Sequence, residues 1–125
     1  MDILRKIGET LIAVPALKGV VVKPFERPES VKAQDPSVVI VPMKPPTQTT
    51  YGSNIPLRKR FTYQIEVEAA TYLKAIELGL AVEKAMLGLG FYQLDEGMES
   101  YFGETRRYVD VRRYRGYSEL YDTEY

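Results

Sequence analysis

The chain has 125 residues, 45% of them hydrophobic, which suits one domain built on one core. Lys plus Arg and Asp plus Glu both total 17, so the formal net charge is zero, without the basic excess that sequence-blind nucleic-acid binding demands. Cys and His are both absent, which removes disulfides, thiolate nucleophiles and the commonest metal ligand and general base, while 10 tyrosines and no tryptophan favour surfaces that are half buried and half wet.

In chain order, Ile3, Leu4, Ile7, Leu11 and Ile12 recur at helical spacing opposite Arg5, Lys6, Glu9 and Thr10. This predicts an amphipathic helix over Asp2–Val14, stopped by Pro15 because the residue before a proline is pushed out of the helical region. The run LIAVPAL could pass for a leader's apolar core, but Asp2 and Glu9 stand where a basic flank and an unbroken apolar run belong. No stretch approaches the ~20 apolar residues of a membrane span, so no membrane association is expected. A strand over Val20–Lys23 follows. The turn-rich RPESVKAQDP separates it from SVVIVPM, a strand over Ser37–Met43 apolar enough to be covered on both faces.

A polar, proline-guarded segment, 44–57, reads as an exposed loop long enough to be functional. Its Pro45, Pro46 and Pro56 stiffen the ends and lower the entropy lost on docking. RFTYQIEVEA then alternates with period two: Phe61, Tyr63, Ile65, Val67 and Ala69 inward, Arg60, Thr62, Gln64, Glu66 and Glu68 outward. Thr71 is the expected N-cap of a second helix, with Leu73, Ile76, Leu80, Met86 and Leu87 as its buried set and Gly88 and Gly90 as its stop. FYQLDEGMESYF is a strand interrupted at Gly97, GET a hairpin turn, and RRYVDVRRYRGY the closing strand with Val109 and Val111 inward. SELYDTEY, 118–125, is an acidic tail. The whole predicts a single α+β domain over 1–125: a mostly antiparallel sheet of four to five strands, with both helices on one face. Its expected core includes Ile3, Ile7, Leu11, Val39, Val41, Ile65, Val67, Ile76 and Leu80.

Catalytic patterns are absent. GLGFYQ lacks the third glycine of a dinucleotide fingerprint and closes a helix rather than opening one. Asp95, Glu96 and Glu99 form a tight acidic cluster without EF-hand spacing, so a carboxylate enzyme is the weakest of the functional readings. No enzyme activity, metal or cofactor is expected. The most conspicuous feature is Arg106, Arg107, Arg112, Arg113 and Arg115 interleaved with Tyr108, Tyr114 and Tyr117. Such a strand can stack single-stranded nucleic acid, blunt a sheet edge with charge, or form a protein interface rich in Arg and Tyr. The candidate interface residues are therefore Arg107, Arg112, Arg113, Tyr114 and Arg115, with Glu66 and Glu68 or the tail acids Glu119, Asp122 and Glu124 as their acidic counterparts, and Thr49 and Tyr51 in the polar segment.

With MDILRKIGETLIAV, FTYQIEVEA and its following helix, and RRYVDVRRYRGY in this order, nearly the whole chain resembles the tail terminator, or tail completion, proteins of long-tailed bacteriophages. Neck and connector proteins of the same phages are similar in size and stand as the alternative. The resemblance implies a structural virion protein. It forms a ring, commonly a hexamer, that caps the tail tube, stops its polymerisation and offers the surface that joins the head. Implied partners are further copies of the chain, the tail tube protein and head–tail connector proteins, with transient contact to DNA crossing the lumen. The implied place is the head-proximal end of the tail, after assembly in the host cytoplasm.

Overall fold

The structure, a computed structural model, describes residues 3–26, 35–43, 47–52, 55–102 and 107–119, with side chains described over 3–26, 35–43, 60–94 and 108–117. The elements in order are α1 (Ile3–Ile12), a 3-10 turn (Pro15–Leu17), β1 (Val21–Pro24), β2 (Ser37–Pro42), β3 (Thr47–Gly52), β4 (Ile55–Ala69), α2 (Tyr72–Gly88), β5 (Tyr92–Phe102) and β6 (Arg107–Glu119). They form an α+β fold: one six-stranded sheet in the order β1-β2-β4-β6-β5, with β3 also paired to β4. Only β1 and β2 run parallel; every other pairing is antiparallel. Among the described residues no helix is long and apolar enough to cross a membrane.

β4 organises the sheet. It is 15 residues long and pairs with β6 from Arg58 to Ala69. Its other edge takes two strands end to end, β2 against Tyr63–Glu68 and β3 against Ile55–Arg60. Within the polar segment expected to be a loop, Thr47–Gly52 form β3, paired antiparallel with the first part of β4. Thr47, Thr49, Thr50 and Tyr51 are good strand formers.

Both helices pack on one face of this sheet. Ile3, Ile7 and Leu11 of α1 and Ala75, Leu78, Val82 and Met86 of α2 meet Val38, Ile40, Phe61, Tyr63, Ile65, Val67, Ala69 and Tyr114, all of them buried. α2 starts where Thr71 Oγ1 accepts a hydrogen bond from the Lys74 amide at 3.2 Å. It ends in a Schellman motif: Gly90 has φ +88, its amide reaches the Leu87 carbonyl, and the Phe91 amide reaches that of Met86 at 2.9 Å. The chain thereby drops Phe91 onto Gly116, where a Cβ would lie 2.9 Å from the ring.

Two phases differ from the sequence reading. α2 buries Ala75, Leu78, Gly79, Val82 and Met86, while Leu73, Leu80 and Leu87 are exposed and Ile76 is only half buried. The helix is apolar on two faces, and the sheet takes the one with the smaller residues, because Gly79 lies so close to β6 that a Cβ would be 3.1 Å from Asp110 Oδ2. β6 is likewise turned over. Tyr114 pairs with Tyr63, Arg112 with Ile65 and Asp110 with Val67, so these share the helix side; Val109 and Val111 lie on the other side, where Val109 is nonetheless buried and Val111 half-buried. Of the remaining expected core, Val39 is buried and Val41 half buried, both on the outward side. The interruption at Gly97 is a register irregularity between Gln93 and Gly97 within one strand. The GET turn, the 27–34 part of the turn-rich segment and residues 120–125 of the tail lie outside the described residues; Ser118 and Glu119 extend β6.

Because Ile65 is 1% exposed and Leu80 is 55% exposed, the two should respond differently to truncation. In denaturant unfolding of the isolated chain, Ile65→Ala costs about 2–5 kcal/mol and Leu80→Ala about 0.5 kcal/mol or less.

Candidate assembly surfaces

The helix-facing side of β6 carries an internal ionic network. Arg112 grips Asp110 with two hydrogen bonds, Nε to Oδ1 at 2.9 Å and Nη2 to Oδ2 at 3.1 Å. Its Nη1 donates to Gln93 Oε1 at 3.3 Å and lies 3.5 Å from Glu83 Oε2, so one guanidinium ties β6 to β5 and to α2. Asp110 is 2% exposed. Burial works against the Arg112 charge, but hydrogen bonding and attraction to Asp110 leave its pKa raised overall. Tyr114 is fully buried beside this network, and its hydroxyl has no hydrogen-bond partner among the described residues. Burial pushes that hydroxyl up to about 12, against the pull of the Arg112 cation.

This geometry separates the candidate interface residues. Tyr114 is buried, and Arg112 is half-buried with its guanidinium engaged by Asp110, Gln93 and Glu83. Arg113, Arg115, Glu66 and Glu68 share the outward face of the sheet. Arg107 pairs with Phe102, Thr49 with Arg58 and Tyr51 with Pro56, and the side chains of Arg107, Thr49 and Tyr51 lie outside the described residues, as do those of Asp95, Glu96 and Glu99.

The outward face is ordered by sign. Glu68 and Glu66 sit opposite Val109 and Val111 at one end; Gln64, Thr62 and Arg60 sit opposite Arg113, Arg115 and Tyr117 toward the other. Arg113 Nε donates to Gln64 Oε1 at 3.1 Å, at the middle of the series. Tyr92, opposite Arg115, stacks with Tyr117 at 6.5 Å between ring centroids, and their hydroxyls approach to 3.3 Å. Both rings are about two-fifths exposed, at 42% and 40%. Glu66 is half buried, and burial followed by repulsion from Glu68 raises its pKa above the usual carboxylate value. At the glutamate end of this face Ser37, Val39 and Val109 are buried, and among the described residues no three His, Cys, Asp or Glu side chains converge as a metal site would require.

Sequence reasoning missed a second surface, the exposed Leu73, Leu80 and Leu87 of α2, which recur every seven residues on one flank. The available signal was that two apolar stripes fit this helix and one sheet can cover only one.

No protein-family model and no curated protein matches this chain. Among solved structures it is similar to a chain in the virion of a native gene transfer agent particle, with a TM-score of 0.64 and 16% identity over 90% of this chain and 91% of that one. The two share a fold along nearly their full lengths.

Two consequences follow for the isolated chain. Arg112→Leu strands the buried Asp110 carboxylate and costs about 3–5 kcal/mol in denaturant unfolding, and a second change, Asp110→Leu, recovers much of that loss. Since the folded Tyr114 hydroxyl titrates near 12, above its ordinary value of 10, the stability it supports is complete below pH 10 and lost as pH rises toward 12. Tyr114→Phe should flatten alkaline unfolding in that window and leave stability at pH 7 unchanged or higher.

Proposed function

We propose that this protein is a structural subunit of a phage-like virion, a tail terminator whose copies close into a ring, six in number by the family resemblance. The ring caps the tail tube, halts its growth and carries the head-joining surface. Its role is mechanical rather than catalytic. The observation that carries the proposal is the shared fold, along nine-tenths of both chains, with a component of a gene transfer agent virion. That similarity supports virion assembly as the setting, and the resemblance in element order supports the terminator position.

The outward sheet face supplies a physical means of association. Zero net charge with the signs separated along the strands, Glu66 and Glu68 at one end and Arg113 and Arg115 toward the other, suits contacts between unlike ends. Burial first, and the neighbouring Glu68 charge second, raise the Glu66 pKa, and a cation on an adjoining protein would oppose both. Partly exposed ion pairs contribute only about 0–1 kcal/mol each, so the gain lies in register and choice of partner. Partners on this reading are other copies, the tail tube protein and a head–tail connector, with DNA passing transiently through the lumen.

The test is complementation in the producing particle. Arg113→Glu with Arg115→Glu, both half-buried on the outward face, should cost about 0.5–3 kcal/mol and leave the chain folded by circular dichroism. Electron microscopy should then show tails of irregular, excessive length without heads. Tails of normal length that fail to join heads would assign the chain to the connector position instead. Normal infectious particles from that folded double variant would overturn the interface and the terminator role together.

A further inference from the structure

The arginine end of the outward sheet face holds cations that no described acid answers. Thr62 and Arg60 of β4 lie opposite Arg115 and Tyr117 of β6, and Tyr92 of β5 lies opposite Arg115 from the other side. Among the described residues Arg60 forms no hydrogen bond or ion pair. Arg115 pairs with no acid either: its Nε is buried without a hydrogen-bond partner, and its guanidinium lies beside the Tyr92 hydroxyl. Glu66, the nearest described acid on this face, stands four residues along β4 from Thr62, about 13 Å at 3.3 Å per residue. Arg113 and Arg58 are left out of this count. Arg113 falls opposite the β5 irregularity that contains Asp95 and Glu96, and Arg58 is paired in register with Glu119.

The same end carries aromatic surface. Tyr92 and Tyr117 stack on each other, and each keeps about two-fifths of its area exposed, at 42% and 40%. Stacked rings with one wet side, set beside two unmatched guanidinium groups, have the composition of a protein contact rather than of a solvated face.

The chain itself supplies a segment of matching chemistry. Residues 120–125, LYDTEY, follow β6 and hold Asp122 and Glu124, no cation, and the apolar or aromatic Leu120, Tyr121 and Tyr125. Two acids thus answer two arginines, and rings are offered to the tyrosine pair. The course of the chain favours the patch of a neighbour over its own. β6 passes the patch at Tyr117 and runs on to Glu119. Neither glycine nor proline stands in 117–125 to turn it back, and six extended residues reach as far as about 20 Å. The other acids on offer, Glu66 and Glu68, are half-buried within their own sheet.

We propose that residues 120–125 of one copy lie across the Arg60–Arg115–Tyr92–Tyr117 patch of the next. The inference rests on the association of copies proposed above and names the partner of its arginine end. Segment and patch are different surfaces of one chain, so the contact is head to tail and repeats from copy to copy until it closes. Each ion pair is partly exposed and contributes modestly, so the gain is in orientation and choice of partner.

The absence of native cysteine makes the contact directly readable. Thr62→Cys, opposite Arg115, and Thr123→Cys, between the two acids, are placed in separate chains that differ in a mass tag. The chains are mixed in equal amounts and treated with a short bis-maleimide. Docking makes the mixed 62–123 dimer the dominant product, severalfold over either same-site dimer. Adding Asp122→Asn and Glu124→Gln to the Thr123→Cys chain should return the mixed product to its random share. Circular dichroism confirms that each variant is folded. A mixed product at the random share in the unaltered pair, or no cross-linked dimer at all, would overturn the docking. So would a chain carrying both cysteines that cross-links only within itself at every concentration, because the segment then occupies its own patch. If the docking is overturned while Arg113→Glu with Arg115→Glu still yields long, headless tails, the terminator reading stands and only this partner falls.

Discussion

Everything in this molecule is hung on β4. The backbone groups of this 15-residue strand are paired along both edges: β6 runs along Arg58–Ala69 on one, while β2 and β3 share the other end to end. Its strict alternation then decides the layers. The side bearing Phe61, Tyr63, Ile65, Val67 and Ala69 draws both helices onto itself, and the side bearing Thr62, Gln64, Glu66 and Glu68 is left as a polar face. The first half of the strand, with β3, continues the same ladder beyond the part that β2 covers. One element thus makes the core, the polar face and the extension with β3.

The second constraint is the price β6 exacts for joining that ladder. In register with β4, it puts Asp110 and Arg112 under α2, where unpaired charges would be intolerable. They satisfy each other and recruit Gln93 and Glu83, so the network also fixes how α2 and β5 sit on the sheet. Gly79 lets the helix come close enough for this. The leucines that might have packed there are displaced to the far flank of α2, and that displacement creates the apolar ridge. In this sense the internal ion pair and the exposed apolar ridge are two consequences of one choice of helix phase.

The extent to which this was legible in the sequence follows the same physics. α1 and the second half of β4 could be read directly because each has one apolar face and a period that matches its element. The N-cap at Thr71 and the stop at Gly90 were equally plain, since their chemistry is local. α2 could not be phased, because Leu73, Leu80 and Leu87 are more hydrophobic than Ala75 and Gly79, and only the proximity of β6 favours the smaller set. β6 was inverted for a related reason: hydrophobicity selects Val109 and Val111, whereas the partner that makes Asp110 and Arg112 acceptable inside comes partly from another element. The Arg–Tyr strand has two sides, with Tyr114 buried and Arg112 half-buried under α2 and Arg113 and Arg115 on the outward side.

The central claim is that this chain works as a covered subunit, with surfaces that are exposed only before assembly. Hydroxyl-radical footprinting of the free chain and of purified particles measures this residue by residue. The account predicts that Leu73, Leu80 and Leu87 are labelled readily in the free chain and severalfold less in the particle, while buried Leu78 and Ile65 stay low in both. Equal labelling of the three leucines in the two states would contradict it.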